Sequence, residues 1–141
     1  MWNYSNKQIN EIVDLPKKAF GFIYQTTHLP TGKKYIGKKS LIYNLKKKLG
    51  KKEKALWEGK GRPPVFKRVQ KESDWKTYYG SHSFIKDANN EDLERKILQV
   101  AYYKKELTYL ECKYQFVLEV LEDKKYLNDN ILGKFYDRDF K

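Results

Sequence analysis

A chain reversal between two β-rich stretches constrains this sequence more than any other feature. From Phe20 to Lys39 it reads FGFIYQTTHLPTGKKYIGKK. The flanks are rich in β-branched and aromatic residues, which favour strands. Between them Leu29-Pro30-Thr31-Gly32 turns the chain, because Pro fixes φ and Gly admits φ > 0. The pattern predicts a hairpin whose first strand carries Gly21-Phe22-Ile23-Tyr24 and whose second carries Tyr35-Ile36-Gly37. Tyr24 and Tyr35 stand eleven positions apart.

Around this hairpin the chain has 141 residues, 40% of them hydrophobic, enough for one compact core. No apolar run is long enough for a transmembrane helix, so no membrane partner is expected. The start, MWNYSNKQINEIVDLPKKAF, lacks the basic-then-apolar pattern of a signal peptide. One Cys excludes an internal disulfide, and one Cys with two scattered His cannot build a zinc site. These features predict an intracellular, cytoplasmic protein.

The charge is unevenly placed. Between Lys33 and Lys76 there are 16 Lys/Arg against four acids, a net of +12, while the remainder is neutral at 14 against 14. A polyanion partner explains such localisation, since neutralising phosphates releases counterions. A solvated surface is the plainer reading of a charge run, but the blocks Lys46-Lys47-Lys48 and Lys51-Lys52 are one-sided. Nucleic acid is favoured over a membrane surface, because no amphipathic anchor accompanies the charge.

Along the chain, residues 1–19 form an N-terminal extension. Leu41, Ile42, Leu45 and Leu49 have near-helical spacing, so Ser40 to Lys54 is expected to form a short amphipathic helix ended by Gly50. Gly59, Gly61 and Pro63-Pro64 mark a loop. It carries Trp57 and Phe66 among Lys60, Arg62, Lys67 and Arg68. Interleaved aromatics and cations suit contact with bases and phosphates, or the aromatics pin the loop to the core. A helical turn near Ser73, a break at Gly80 and a helix from Ser81 or Ser83 follow. Leu93 to Tyr103 fits helix or strand alike. The best helix runs from Thr108 to Asp123, with Leu110, Tyr114, Val117, Leu118 and Leu121 on one face. Thr108 and Glu111 have the spacing of a capping box. Leu127, Ile131, Leu132 and Phe135 are expected to pack the tail onto the core.

The paired tyrosine signatures resemble the GIY-YIG nuclease superfamily. The MWNY start, SDWKTYYGS and the helix segment Glu111–Phe116 also resemble its small, phage-encoded, Seg-like members. The resemblance implies an α+β fold, a small antiparallel three-stranded sheet flanked by helices, with the third strand at Arg95 to Tyr102. It implies one nuclease domain over 20–141, with a lysine-rich insert at about 38–76. The activity implied is that of a Mg²⁺- (or Mn²⁺-) dependent endonuclease acting on double-stranded DNA. Such chemistry needs an activated water and neutralisation of the phosphate.

By the same resemblance Glu111 would hold the metal, and Asn128 matches the asparagine that follows the helix. Tyr24 would activate or position water, and Tyr35 would orient water or phosphate. A free phenol titrates near ~10, so a basic Tyr24 requires positive charge nearby, which Lys34, Lys38 and Lys39 would supply. The insert, through Lys46, Lys47, Lys48, Lys51, Lys52, Lys60, Arg62, Lys67 and Arg68, would grip DNA. Each site residue also has a structural reading. Tyr24 and Tyr35 suit a cross-strand core pair, Glu111 a capping partner of Thr108, and Asn128 a turn.

Two departures stand out. The first signature reads GFIY, and Leu45 occupies the place of the usual arginine on the helix after YIG. Arg62 and Arg68, later in the loop, could fold back into that role, or Lys38 or Lys39, directly after YIG, would act as a point charge instead. A catalytically silent nucleic-acid-binding protein on the same scaffold is the alternative; a basic RNA-binding protein is a third reading that leaves the tyrosine spacing unexplained.

Overall fold

The computed structural model describes every residue from Met1 to Lys141. Along the chain run β1 (Trp2–Tyr4), β2 (Lys7–Ile9), β3 (Gly21–His28), β4 (Lys33–Ser40), β5 (Ile42–Lys48), α1 (Lys51–Ala55), β6 (Phe66–Glu72), α2 (Ser83–Asp87), β7 (Leu93–Ala101), α3 (Lys104–Val117), β8 (Asn130–Ile131) and β9 (Phe135–Tyr136). They fall into two units, Met1–Leu41 with Asp74–Lys141, and Ile42–Ser73.

The larger unit is built on the expected hairpin. β3 and β4 pair from Gly21↔Ser40 to His28↔Lys33. At the turn Gly32 takes φ 72° and its N–H reaches the His28 carbonyl at 2.7 Å. β7 flanks β3 on the other side, spanning Leu93–Ala101 rather than Arg95 to Tyr102. The sheet has five strands, not three, in the order β2-β1-β7-β3-β4. Residues 1–19 supply the two additional strands. Ser5 and Asn6, both with positive φ, turn β1 into β2 in the manner of a two-residue hairpin loop. β1 runs parallel to β7, and the other neighbours are antiparallel. Burial of Trp2 anchors the addition. Trp2 is 1% exposed, donates its indole N–H to the Trp75 carbonyl at 2.7 Å, and meets Phe22 and Tyr24 edge-on.

Side chains alternate across the sheet, so its two faces have different cores. One face carries Ile23 and Ile36 beneath Leu107 and Leu110 of α3, joined by Val120, Leu121 and Ile131. The other buries Trp2, Phe22, Tyr24 and Trp75. Gly21 lets α3 approach closely, since a Cβ there would fall 2.8 Å from Leu107 and 2.6 Å from the Lys39 carbonyl. After α3 the chain returns along the free edge of β4. The Lys34 N–H donates to Lys125 O at 2.8 Å and the Leu127 N–H to Lys34 O at 2.7 Å. Of the tail residues expected in the core, Ile131 is buried, whereas Leu132 and Phe135 remain exposed. No helix is long and apolar enough to cross a membrane.

The smaller unit corrects the expected helix and loop. Ile42–Lys48 is a strand paired with Phe66–Glu72, in register from Ile42↔Glu72 to Lys48↔Phe66. Helix is confined to Lys51–Ala55 between them. The spacing of Leu41, Ile42, Leu45 and Leu49 fits a helix, but Leu45 lies opposite Val69, a partner distant in sequence. Cross-strand pairing outweighs the modest helix preference of leucine and lysine.

Candidate active site

The hairpin explains its own signatures. Tyr24 and Gly37 are direct cross-strand partners, so the tyrosine ring lies across the glycine. A Cβ on Gly37 would fall 2.6 Å from the Tyr24 hydroxyl. Tyr35, two residues earlier on β4, shares that face, and its ring lies 6.2 Å from that of Tyr24.

A polar cavity of about 460 Å³ opens at this outer edge of the sheet. Tyr35 and Lys38 reach it from β4, Thr108, Glu111 and Gln115 from α3, Ser81 and His82 from the approach to α2, and Asn128 and Asp129 from the tail. Glu111 is half-buried and accepts the backbone N–H of Lys38. Burial raises its carboxyl above the usual carboxylate range, opposed by the Lys38 charge and that N–H. Lys38 itself donates to the Thr108 hydroxyl at 3.0 Å.

The capping-box expectation for Glu111 is overturned by the helix start. α3 begins a turn earlier, with Tyr103 at its N-cap, and the carboxylate of Glu106 takes the Tyr102 N–H at 2.9 Å. Thr108 is therefore interior, and Glu111 is released from any capping role to face the cavity.

Tyr35 and Tyr24 occupy different places. The Tyr35 hydroxyl lines the cavity and shares a 2.8 Å hydrogen bond with Ser81. Tyr24 is 1% exposed and lies behind Gly37, hydrogen-bonded to Tyr78. Burial, then the neighbouring Tyr78, Tyr35 and Glu111, hold its phenol well above the usual value. Burial also leads the upward shift of Tyr35, partly offset by Ser81. Two of the lysines expected to favour a phenolate are engaged by other groups. Lys38 faces Thr108 and Glu111, while Lys39, on the sheet face of Tyr24 and Tyr35, is paired with Asp74 at 2.5 Å and lies 4.1 Å over the Tyr78 ring. Both phenols are neutral hydrogen-bonding groups at pH 7.

Asn128 is 2% exposed and its carboxamide is committed to one residue. Its Oδ1 accepts the Ile36 N–H at 3.1 Å and its Nδ2 donates to the Ile36 carbonyl at 2.8 Å. The side chain thus replaces a neighbouring strand at the middle of YIG. Gln115 adds a second donor to the same carbonyl at 3.2 Å.

The structure therefore brings Tyr35, Lys38, Glu111 and Asn128 together, sets Tyr24 behind them, and leaves Lys39 paired with Asp74. Ser81 closes the SDWKTYYGS segment of the resemblance and His82 follows it, in a family that sometimes uses a His near the site, whereas Asp129 had no signal in the sequence. His82 accepts the Phe84 N–H at Nδ1, 3.1 Å away, leaving Nε2 to face Asp129 at 3.4 Å. Arg95 is buried away from the cavity, stacked on Trp2 and Tyr79 and bonded to the Lys76 and Tyr78 carbonyls. Arg68 and the other predicted DNA-binding residues from Lys46 to Lys67 lie in the Ile42–Ser73 unit.

A family model described as "Putative endonuclease segE, GIY-YIG domain" matches residues 2–131. No curated protein and no solved structure matches the chain.

Proposed function

The chain belongs to the GIY-YIG nucleases of the Seg-like type, and on that premise we propose that it is a divalent-metal-dependent DNA endonuclease whose chemistry occurs in the cavity beside β4. One observation carries this reading. Glu111, free of any capping role, faces a polar cavity at the outer edge of the YIG strand, beside Lys38 and the Tyr35 hydroxyl.

The residues fit a Mg²⁺ ion. No group of three His, Cys, Asp or Glu side chains gathers there, and Mg²⁺ suits such a site because it keeps several waters and needs only one or two carboxylates. Glu111 would hold it, with room in the cavity for those waters. When bound, the ion would polarise a phosphoryl oxygen and lower the pKa of a coordinated water.

The remaining roles belong to the chain. Tyr35, neutral and oriented by Ser81, donates a hydrogen bond to a phosphate oxygen or fixes the attacking water. Lys38 stabilises charge developing on the phosphate as a point charge and opposes the burial-driven rise of the Glu111 carboxyl. Tyr24 holds the wall behind Tyr35 and Gly37 as a neutral phenol. Asn128 is a positioning residue that fixes the backbone of Ile36 between Tyr35 and Gly37.

The silent-binder reading has one observation in its favour: the cation lining the cavity is a lysine, with no arginine beside it. Incubating the protein with supercoiled plasmid in Mg²⁺, Mn²⁺ or EDTA decides between the two. Metal-dependent conversion to nicked or linear DNA supports the endonuclease. Metal-independent binding without strand scission on duplex, branched and single-stranded substrates supports the silent binder.

A further inference from the structure

The register of the Ile42–Ser73 ribbon sorts its side chains onto two faces. On one, Leu45 lies opposite Val69, Lys47 opposite Lys67, and Tyr43 opposite Lys71. Glu53 of the short helix reaches this face, pairing with Lys67 at 2.5 Å, and Lys67 and Val69 are half-covered. On the other, Ile42 lies opposite Glu72 at the base of the ribbon, followed by Asn44 opposite Gln70, Lys46 opposite Arg68, and Lys48 opposite Phe66. All of these side chains but half-covered Ile42 are exposed.

The second face has a composition that chain packing does not explain. Asn and Gln match the paired donor and acceptor on the major-groove edge of adenine, and Arg matches the two acceptors of guanine. Here those three types sit side by side, with Lys46 adding charge. Lys46 opposite Arg68 is a like-charge cross-strand pair, an arrangement that destabilises an isolated ribbon and that an anion would relieve. The unit carries 11 Lys/Arg and three acids, a net of +8.

We infer that this face enters the major groove of duplex DNA and reads base edges, with Asn44 and Gln70 on adenine and Arg68 on guanine. The dimensions agree. A two-stranded ribbon fits a groove about 12 Å wide, and seven residues per strand extend about 24 Å at about 3.4 Å each. Successive cross-strand pairs on one face lie about 7 Å apart, close to two base-pair steps. The ribbon therefore favours an adenine and a guanine about two steps apart. RNA duplexes fit less well, because their major groove is too narrow for side chains to read. The inference rests on the endonuclease reading for its substrate class, and it adds the source of sequence preference.

The test is selection of bound duplexes from a randomised pool in EDTA, followed by anisotropy titrations over a range of KCl concentrations with duplex DNA and duplex RNA. Wild type is expected to enrich an adenine and a guanine at the stated spacing. Combining Asn44→Ala with Gln70→Ala should reduce the adenine preference about 5- to 150-fold, and Arg68→Ala should do the same at guanine. Lys46→Ala should weaken all sequences alike and lower the salt slope by about 0.9. Absence of base preference in wild type, preference unchanged in these variants, or equal affinity for duplex RNA would overturn the inference. So would full DNA affinity after replacing Ile42–Ser73 by a short Gly-Ser turn. Plasmid nicking measured alongside separates the two readings. Base preference without nicking removes the nuclease and keeps the ribbon; nicking without base preference does the reverse.

Discussion

Replacing Asn128 by Ala should reduce stability as well as cleavage, because its carboxamide is part of the sheet edge. The substitution leaves the N–H of fully buried Ile36 without its acceptor. An orphaned buried donor costs about 1–3 kcal/mol. The Ile36 carbonyl is less affected, since Gln115 still donates to it. A net loss of about 2–3 kcal/mol is expected. For 141 residues, an unfolding entropy of about 2.1 cal/mol/K per residue gives about 0.3 kcal/mol/K, so Tm should fall by about 7–10 °C. Gln115→Ala removes only the second donor on that carbonyl and should cost about 1 kcal/mol, or about 3 °C. Thermal melts by circular dichroism measure both variants. An Asn128→Ala protein with Tm within about 2 °C of wild type and no cleavage would refute a positioning role and assign Asn128 to the reacting groups.

Two further predictions concern charge at the site. Lys38→Met removes the charge that opposes the burial-driven rise of the Glu111 carboxyl, so the acidic limb of the kcat/KM profile should move to higher pH; a pH–rate series from 5 to 9 checks the direction. Tyr24 is held above its usual value by burial, then by Tyr78, Tyr35 and Glu111, so any stability linked to its proton is complete below ~10 and lost as pH rises through the folded value. Wild type should therefore lose stability relative to Tyr24→Phe in alkaline melts, and cleavage should show no gain from a Tyr24 phenolate near neutrality.

The hairpin was legible because its information is local. β-Rich flanks, Leu29-Pro30-Thr31-Gly32 and the tyrosine spacing all occur within twenty residues. The third strand required the family resemblance, since Leu93 to Tyr103 suits either periodicity. β1 and β2 were hidden by their length: three residues cannot display a period, and Trp2 gains its place from Trp75, 73 positions away. The ribbon was misread because its decisive contacts, Leu45 with Val69 and Asn44 with Gln70, also join distant residues. Glu111 was identified by resemblance, while its release from capping depends on where β7 ends and α3 begins. Ser81, His82 and Asp129 enter the cavity because folding brings loops together, and no spacing of chemical groups marks them beforehand. Tyr24 shows the opposite limit. Its position was legible, but its burial behind Gly37, and hence its neutral state, was not.

The central claim is that Glu111 makes the cavity beside β4 a site of phosphodiester cleavage. The most direct measurement is nicking of supercoiled plasmid in Mg²⁺ by wild type and Glu111→Gln, with Tm and DNA affinity recorded for both. Glu111→Gln should keep its fold and its affinity for DNA in EDTA while losing about 10²–10³-fold in cleavage rate, the scale of one essential electrostatic contact to the transition state. Equal nicking by the two proteins, or none by wild type, would contradict the account.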